Sequence, residues 1–525
     1  MKHYDVVVLG AGVSALAAAA LLSRRSWRVL VLGQGQKPAR YSFDGLPLAR
    51  RAFTLLSGAS PAFSRVLVEL AQSQTFRRRV HNVDPMLQVL MPGRRIEMPP
   101  ATELFAREVD REFPEVRRVV DELYAELAKT NAAADGVFER DVTWPPSNGL
   151  GGFWERRETL RAMARLPHFW ARVDSADSSD ARPLLAEFPR EHPYRTVVDV
   201  TARFSSDQAG ELSPFAVARL HGAWTRGLSC LDGGEDELTE FFVERVRAHG
   251  GEVELGERAE KVVVRGGRVT GVVAGDETDQ AGVQFVVTDG TATSLLELAQ
   301  PYEAPRRALA SLPVVTPLAR RFVVSMLVRD EGLPAALGQE SFIVPRPPSL
   351  SGAIHLQRTA PRDAPKGTSL LVAETLLDAE DHREVDEALE TARQRVMSVV
   401  GTFLPFFERH LLVADSPHDG LPLWDFRGES RALVDRSVLR RTGGAVEPEP
   451  MQAQWAIEPS SLGGLAGEML RAPLGNAFVV GRSAMPALGQ EGELLAAWSV
   501  ARIITRTDRK KERMRREMWS KVELG

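Results

Sequence analysis

Val6 to Leu9 is an unbroken apolar run, the pattern of a short strand buried on both faces. Small turn residues follow, then the alanine-rich stretch Ala15 to Leu22 and a second apolar segment, Trp27 to Leu32. The pattern predicts strand, turn, helix, strand, the opening of a βαβ unit. Further along, Leu87 to Met91 and Arg94 to Met98 flank Pro92 and Gly93, a hairpin signal. Val116, Val119, Val120, Leu123 and Leu127 recur at helical spacing after Pro114, which suits a first helical turn. Leu238, Phe241, Phe242 and Val246 mark an amphipathic helix stopped by His249, Gly250 and Gly251. Three apolar strands follow it, with a turn at Gly266 and Gly267.

Residues 321–329, 341–345, 353–357 and 369–376 read as four more strands, an antiparallel sheet of a separate layer. Asp381 is placed to cap a helix carrying Val385, Leu389, Ala392, Val396 and Phe403. Residues 141–207 are richer in Pro, Gly, Ser and Asp but keep Phe153, Trp154, Phe169 and Trp170, the composition of a lid or channel wall. The chain closes on a buried strand from Ala477 to Val480, a glycine-bearing loop, and a helix beginning near Glu491 and Gly492. The predicted class is α/β, with an α+β second domain.

The first turn carries chemistry. Gly10, Ala11, Gly12, Val13, Ser14 and Ala15 follow a strand and open a helix, the context that makes a glycine fingerprint a dinucleotide site. Gly10 permits the tight turn, Gly12 lets backbone approach a pyrophosphate, and Ala15 lets the helix pack on the sheet. The phosphates then meet free N–H groups and the positive end of the helix dipole. A signal peptide or membrane span over residues 6–22 is disfavoured: Asp5 abuts the run, turn residues interrupt it, and it is short for a span. One part of the fingerprint is missing. At the end of the second strand an acid normally holds the ribose hydroxyls, and here Gly33 stands there, followed by Gln34 and Gly35.

The 525 residues suffice for two or three domains, and 44% apolar with 26% charged content is ordinary for a globular chain. A net charge of −4 with no dominant basic face excludes general nucleic-acid affinity. The single cysteine, Cys230, excludes intrachain disulfides and fits a reducing cytoplasm; packing explains it better than nucleophilic chemistry. Ten scattered histidines without His-x-x-x-His give no metal site, and there is no G-x-S-x-G elbow or P-loop. Asp232, Glu235, Asp236 and Glu237 read as an acidic helix start.

Three separated pieces, the turn from Gly10 to Ala15, Leu231-x-Gly233-Gly234 followed by His249-Gly250-Gly251, and the segment from Val480 to Gly492, together resemble the phytoene desaturase group of FAD-dependent oxidoreductases, relatives of the flavin amine oxidases. The resemblance implies a Rossmann-like FAD-binding domain assembled from residues 1–84, 215–298 and 424–505. A substrate domain of sheet plus helices, residues 85–214 and 299–423, is inserted between them. It implies dehydrogenation or isomerisation of a hydrophobic, isoprenoid or lipid-like substrate. Carried over, Gly10, Gly12, Ser14 and Ala15 meet the pyrophosphate, Ala259 offers backbone to the adenine, and Gly481, Arg482, Gly489, Glu491 and Gly492 line the ribitol and flavin end.

The sequence departs from that pattern at Gly33, in the lack of a following glycine pair, and at Arg482, where the family has Asp. Each lost charged hydrogen bond removes about 1.5–3 kcal/mol, so FAD is expected to bind weakly. Arg482 either pairs with a phosphate or faces solvent or an internal carboxylate; Glu491 either approaches the flavin or serves the helix start. The rival reading is a non-catalytic scaffold or binding protein of this fold that has lost tight FAD binding. A minor one is NADP, its 2′-phosphate met by Lys37 or Arg40. Residues 506–525 form a basic tail in which Met514, Met518, Trp519 and Val522 recur at helical spacing, a candidate contact for a membrane surface or a protein. The expected location is cytoplasmic, with peripheral membrane association through that tail.

Overall fold

Two sheets carry the architecture of the computed structural model, which describes residues 2–146, 153–169, 183–275, 280–379 and 385–523. The first has seven strands and is built on β1 (His3–Leu9), whose neighbours are β2 (Val29–Leu32) on one side and β3 (Gln280–Thr288) on the other, both parallel to it. β4 (Ala477–Val479) adds alongside β3, again parallel. Helix α1 (Val13–Arg24) connects β1 to β2, and its residues from Ser14 to Ser23 are all buried. Both faces of this sheet are covered, which is why β1 and β2 read as unbroken apolar runs instead of alternating ones.

α1 packs against α2 (Gly489–Arg506), a helix buried along nearly its whole length. The alanines of α1 give the close approach: Ala15 and Ala17 to Ala20 have no exposed surface, and larger side chains would push the two helices apart. α1, α2 and the helix Gly234–Ala248 share one core with the hairpin Leu87–Met91 and Arg94–Met98.

The second sheet has ten strands and is mostly antiparallel. Its spine is the long strand Val314–Arg329, paired with Thr368–Asp378, Leu411–Asp415 and Gln452–Glu458. Glu340–Ile343, Ile354–Thr359 and the hairpin at residues 87–98 complete the other side. The helix Val385–Phe403 covers one face of this sheet.

The α/β class and the separate antiparallel layer follow the sequence pattern. The domain boundary at residue 424 needs correction. Leu423–Asp425, Ala432–Val434 and Gln452–Glu458 all pair within the ten-stranded sheet, so the third segment enters the dinucleotide-type sheet only at Ala477. The Asp381 cap and Trp170 lie outside the described residues, as does part of the segment read as a lid. The C-terminal segment is a helix, α3 (Arg509–Glu523), and two of its basic side chains, Lys511 and Arg515, are turned onto the body of the protein, while Arg509, Lys510, Arg513 and Arg516 are exposed. The Lys511 ammonium sits 3.6 Å from the Trp27 ring centre and 3.6 Å from Asp5, and Arg515 pairs with Glu512 and Asp141. Among the described residues no helix is long and apolar enough to cross a membrane.

Candidate functional site

The turn after β1 is built around one side chain. The pairing of β3 with β1 puts Leu9 opposite Thr288, so Asp289 emerges at the sheet's carboxyl end beside the turn. Its backbone N–H donates to Leu9, and its carboxylate accepts from the Gly12 N–H at 2.8 Å, at the N-terminus of α1. A Cβ on Gly10 or Gly12 would overlap that carboxyl, and Gly10 has a φ of +114°, a conformation side chains disfavour. Gly481, just past β4, touches the Asp289 backbone so closely that it too admits no Cβ. Three of the glycines in the family-like pieces thus close around Asp289, a residue the motif reading did not single out.

A second acid stands beside it. Glu493, in the first turns of α2, is buried and lies close enough to the Ser14 amide to be stabilised by it. Burial, with the charges of Asp207 and Asp289, pushes its carboxyl up to about 8, against the pull of Arg482. Burial also raises Asp289, opposed by the Gly12 amide and Arg482. The Ser14 hydroxyl is fully buried and has no hydrogen-bond partner among the described residues.

These groups line a cavity of about 640 Å³ that runs from the start of α1 to the ten-stranded sheet, where Val323, His355 and Glu374 face it. Phe204, Trp224 and Trp455 form aromatic parts of its wall. Four arginines face the same space, and each has an acidic partner: Arg50 with Glu449 at 3.0 Å, Arg51 with Glu235, Arg321 with Glu374 at 2.5 Å, and Arg482 with Asp207 at 3.2 Å. His355, on the sheet side, is held at 2.7 Å by Glu340 and stacks on Phe342. The wall thus combines apolar patches with charged and polar groups that can hold water or the polar parts of a bound molecule.

The other residues singled out in the sequence fall into two groups. Ala15 is core, as the fingerprint's third small residue should be. Gly33 has the Leu255 backbone packed against it, leaving no room for a side chain, and the Ala259 N–H already donates to the Gln34 side chain at 2.7 Å. Arg482 faces an internal carboxylate, Asp207, and lies 5.1 Å over the Trp455 ring. Gly489 and Gly492 are small because the carbonyls of Ser205 and Met485 come close to them. Glu491 does not face the large cavity. Burial raises its carboxyl, but the Arg219 guanidinium more than offsets this, binding it at 2.6 Å with help from Ser60. The acid on the cavity is Glu493, two positions on, and its signal was the turn of a helix already proposed to start there.

Cys230 lies opposite His81 across paired strands, 2.7 Å from its Nε2, and burial pushes the thiol up to about 11. It stays protonated at neutral pH.

A dinucleotide fits part of this arrangement. The glycine turn, the helix start and the buried Ser14 hydroxyl suit a diphosphate. Asp289 and Glu493 suit it only when protonated or turned aside, because their charges stand at the amides that would receive it.

A family model described as FAD dependent oxidoreductase matches residues 5–429. No curated protein matches the sequence. Among solved structures, an oxidoreductase from Methanosarcina mazei is 16% identical with a TM-score of 0.57, over 94% of this chain and 99% of that one. A putrescine oxidase variant is 15% identical with a TM-score of 0.52, over 96% and 99% of the two chains. Cyclohexylamine oxidase from Brevibacterium oxydans is 13% identical with a TM-score of 0.51, again over 96% and 99%. At such identities these likenesses speak for the fold.

Proposed function

The chain belongs to the FAD dependent oxidoreductase family, and from that premise we propose that it is an oxidoreductase that uses FAD loosely held, on a polar substrate. The observation that carries this reading is the cavity of about 640 Å³ joining the start of α1 to the ten-stranded sheet. It leaves space for a cofactor and a substrate to meet between the two sheets.

When bound, FAD supplies the capacity to accept a hydride. The chain's own groups would do the rest. The start of α1, with the amides of Gly12 and Ser14 and the Ser14 hydroxyl, would receive the diphosphate. Phe204, Trp224 and Trp455 would exclude water, and His355, held by buried Glu340, would orient a polar group of the substrate. The charged lining favours a polar substrate over the isoprenoid suggested by the desaturase resemblance. The weak hold on FAD is supported by the absent ribose acid at Gly33 and by the carboxyls at α1.

A second reading, a protein of this fold that works without FAD, is favoured by one observation: Asp289 and Gln34 already meet backbone amides at Gly12 and Ala259. Titration with FAD at pH 6, followed by flavin absorbance and by melting temperature, separates the two. Saturable binding with a thermal shift supports the oxidoreductase. No shift at millimolar FAD leaves the second reading.

A further inference from the structure

The charges around the cavity do not balance, and the imbalance sits in one place. Each of its four arginines is matched by one acid. Asp289 and Glu493 are the two carboxyls left over, and both stand at the amino end of α1, at Gly12 and Ser14. With both ionised, they already give this helix end the two negative charges that a diphosphate would bring. Resting on the FAD reading above, we propose that FAD exchanges for the charges of Asp289 and Glu493, so that its binding is accompanied by proton uptake at this carboxyl pair.

The alternative arrangements are worse. A diphosphate entering beside two ionised carboxylates would place four negative charges around one helix end, in a buried space where such repulsion is poorly screened. A neutral carboxyl removes its own charge and gains an O–H that can donate to a phosphate oxygen. The neighbours on every side favour that exchange. From the segment just after the helix Pro193–Ser205 comes Asp207, a like charge for Glu493, itself facing Arg321 and Glu374 of the ten-stranded sheet. From the loop after β4 comes Arg482, the cation acting on both carboxyls among the described residues, already bound to Asp207. From α1 come only amides and the Ser14 hydroxyl. Burial raises both carboxyls, Glu493 up to about 8, which makes protonation easier at each.

The protons are counted directly by calorimetry of FAD binding to the full chain at pH 8.5, above Glu493's titration, in two buffers of different ionisation heat. The expected result is an uptake of about one to two protons per FAD and a Kd that weakens up to about tenfold for each pH unit and proton between pH 6 and 9. Asp289→Asn and Glu493→Gln, which keep the shape of each side chain, are expected to take up fewer protons and to bind FAD more tightly at pH 8.5. FAD that binds with no proton uptake and a flat pH profile overturns the exchange and leaves the FAD reading standing. No binding by wild type or by either variant from pH 5.5 to 9 overturns both.

Discussion

The Asp289 carboxylate accepts from the Gly12 N–H at 2.8 Å, so the glycine turn of a dinucleotide fingerprint is closed by an acid of the same chain. The two glycines are therefore needed whether or not a cofactor is bound. Gly10→Ala would overlap Asp289 and force a side chain into a φ of +114°. A loss of more than about 1–3 kcal/mol is expected, read as a lower melting temperature in the absence of any added flavin. A glycine that served only the cofactor would show no such loss in the apoprotein.

Glu493 links stability to pH. Its folded pKa of about 8 stands above the ordinary glutamate value of 4.5, so the folded state holds the proton more strongly than the unfolded chain does. Stability from this group is present in full below about pH 4.5 and is lost as pH rises through about 8. Glu493→Gln is therefore expected to raise the melting temperature at pH 9 and to change it little at pH 5. Equal shifts at both pH values would show that the carboxyl does not titrate in this range.

Glu491 is a structural acid. Its buried pair with Arg219 joins α2 to the helix Pro214–Thr225. Glu491→Ala leaves a buried guanidinium short of a partner and is expected to cost about 3–5 kcal/mol in a denaturant melt. FAD affinity in the folded fraction should be unchanged, which a residue at the flavin would not allow.

The C-terminal helix anchors to the body through Lys511 and Arg515. Removal of residues 509–525 is expected to lower the melting temperature while leaving sedimentation with anionic liposomes equal to that of the intact chain. Loss of sedimentation on truncation would instead support the membrane contact read from the tail's basic composition.

Much of this fold is legible in the chain itself. The buried strands show as apolar runs at Val6 to Leu9 and Ala477 to Val480, and the hairpin at Pro92 and Gly93 shows its turn. The strands Arg40–Phe43 and Leu46–Ala49 give a weak signal despite the hairpin turn at Asp44 and Gly45, because each is only four residues long, the first is of mixed polarity and the second contains Pro47. Gln452–Glu458 alternates too weakly to announce a strand; its place comes from pairing with Val314–Arg329, more than a hundred residues earlier. The site was half legible for the same reason. Local spacing reveals Gly10 and Gly12, whereas Asp289 reaches them only through the β1 and β3 register, and no local pattern encodes that. The internal partners of Arg482 and Glu491, Asp207 and Arg219, lie in segments without a motif, so local spacing does not reveal these pairs.

The central claim, that FAD enters against resident carboxyls, is tested most directly by titrating wild type and Asp289→Asn with FAD at pH 8.5 and following flavin absorbance. Removing one like charge is expected to tighten binding by about tenfold, roughly 1.4 kcal/mol, with a smaller gain at pH 6, where the neighbouring Glu493 already carries its proton. Equal affinity of the two proteins at pH 8.5, or weaker binding by Asp289→Asn, would contradict it.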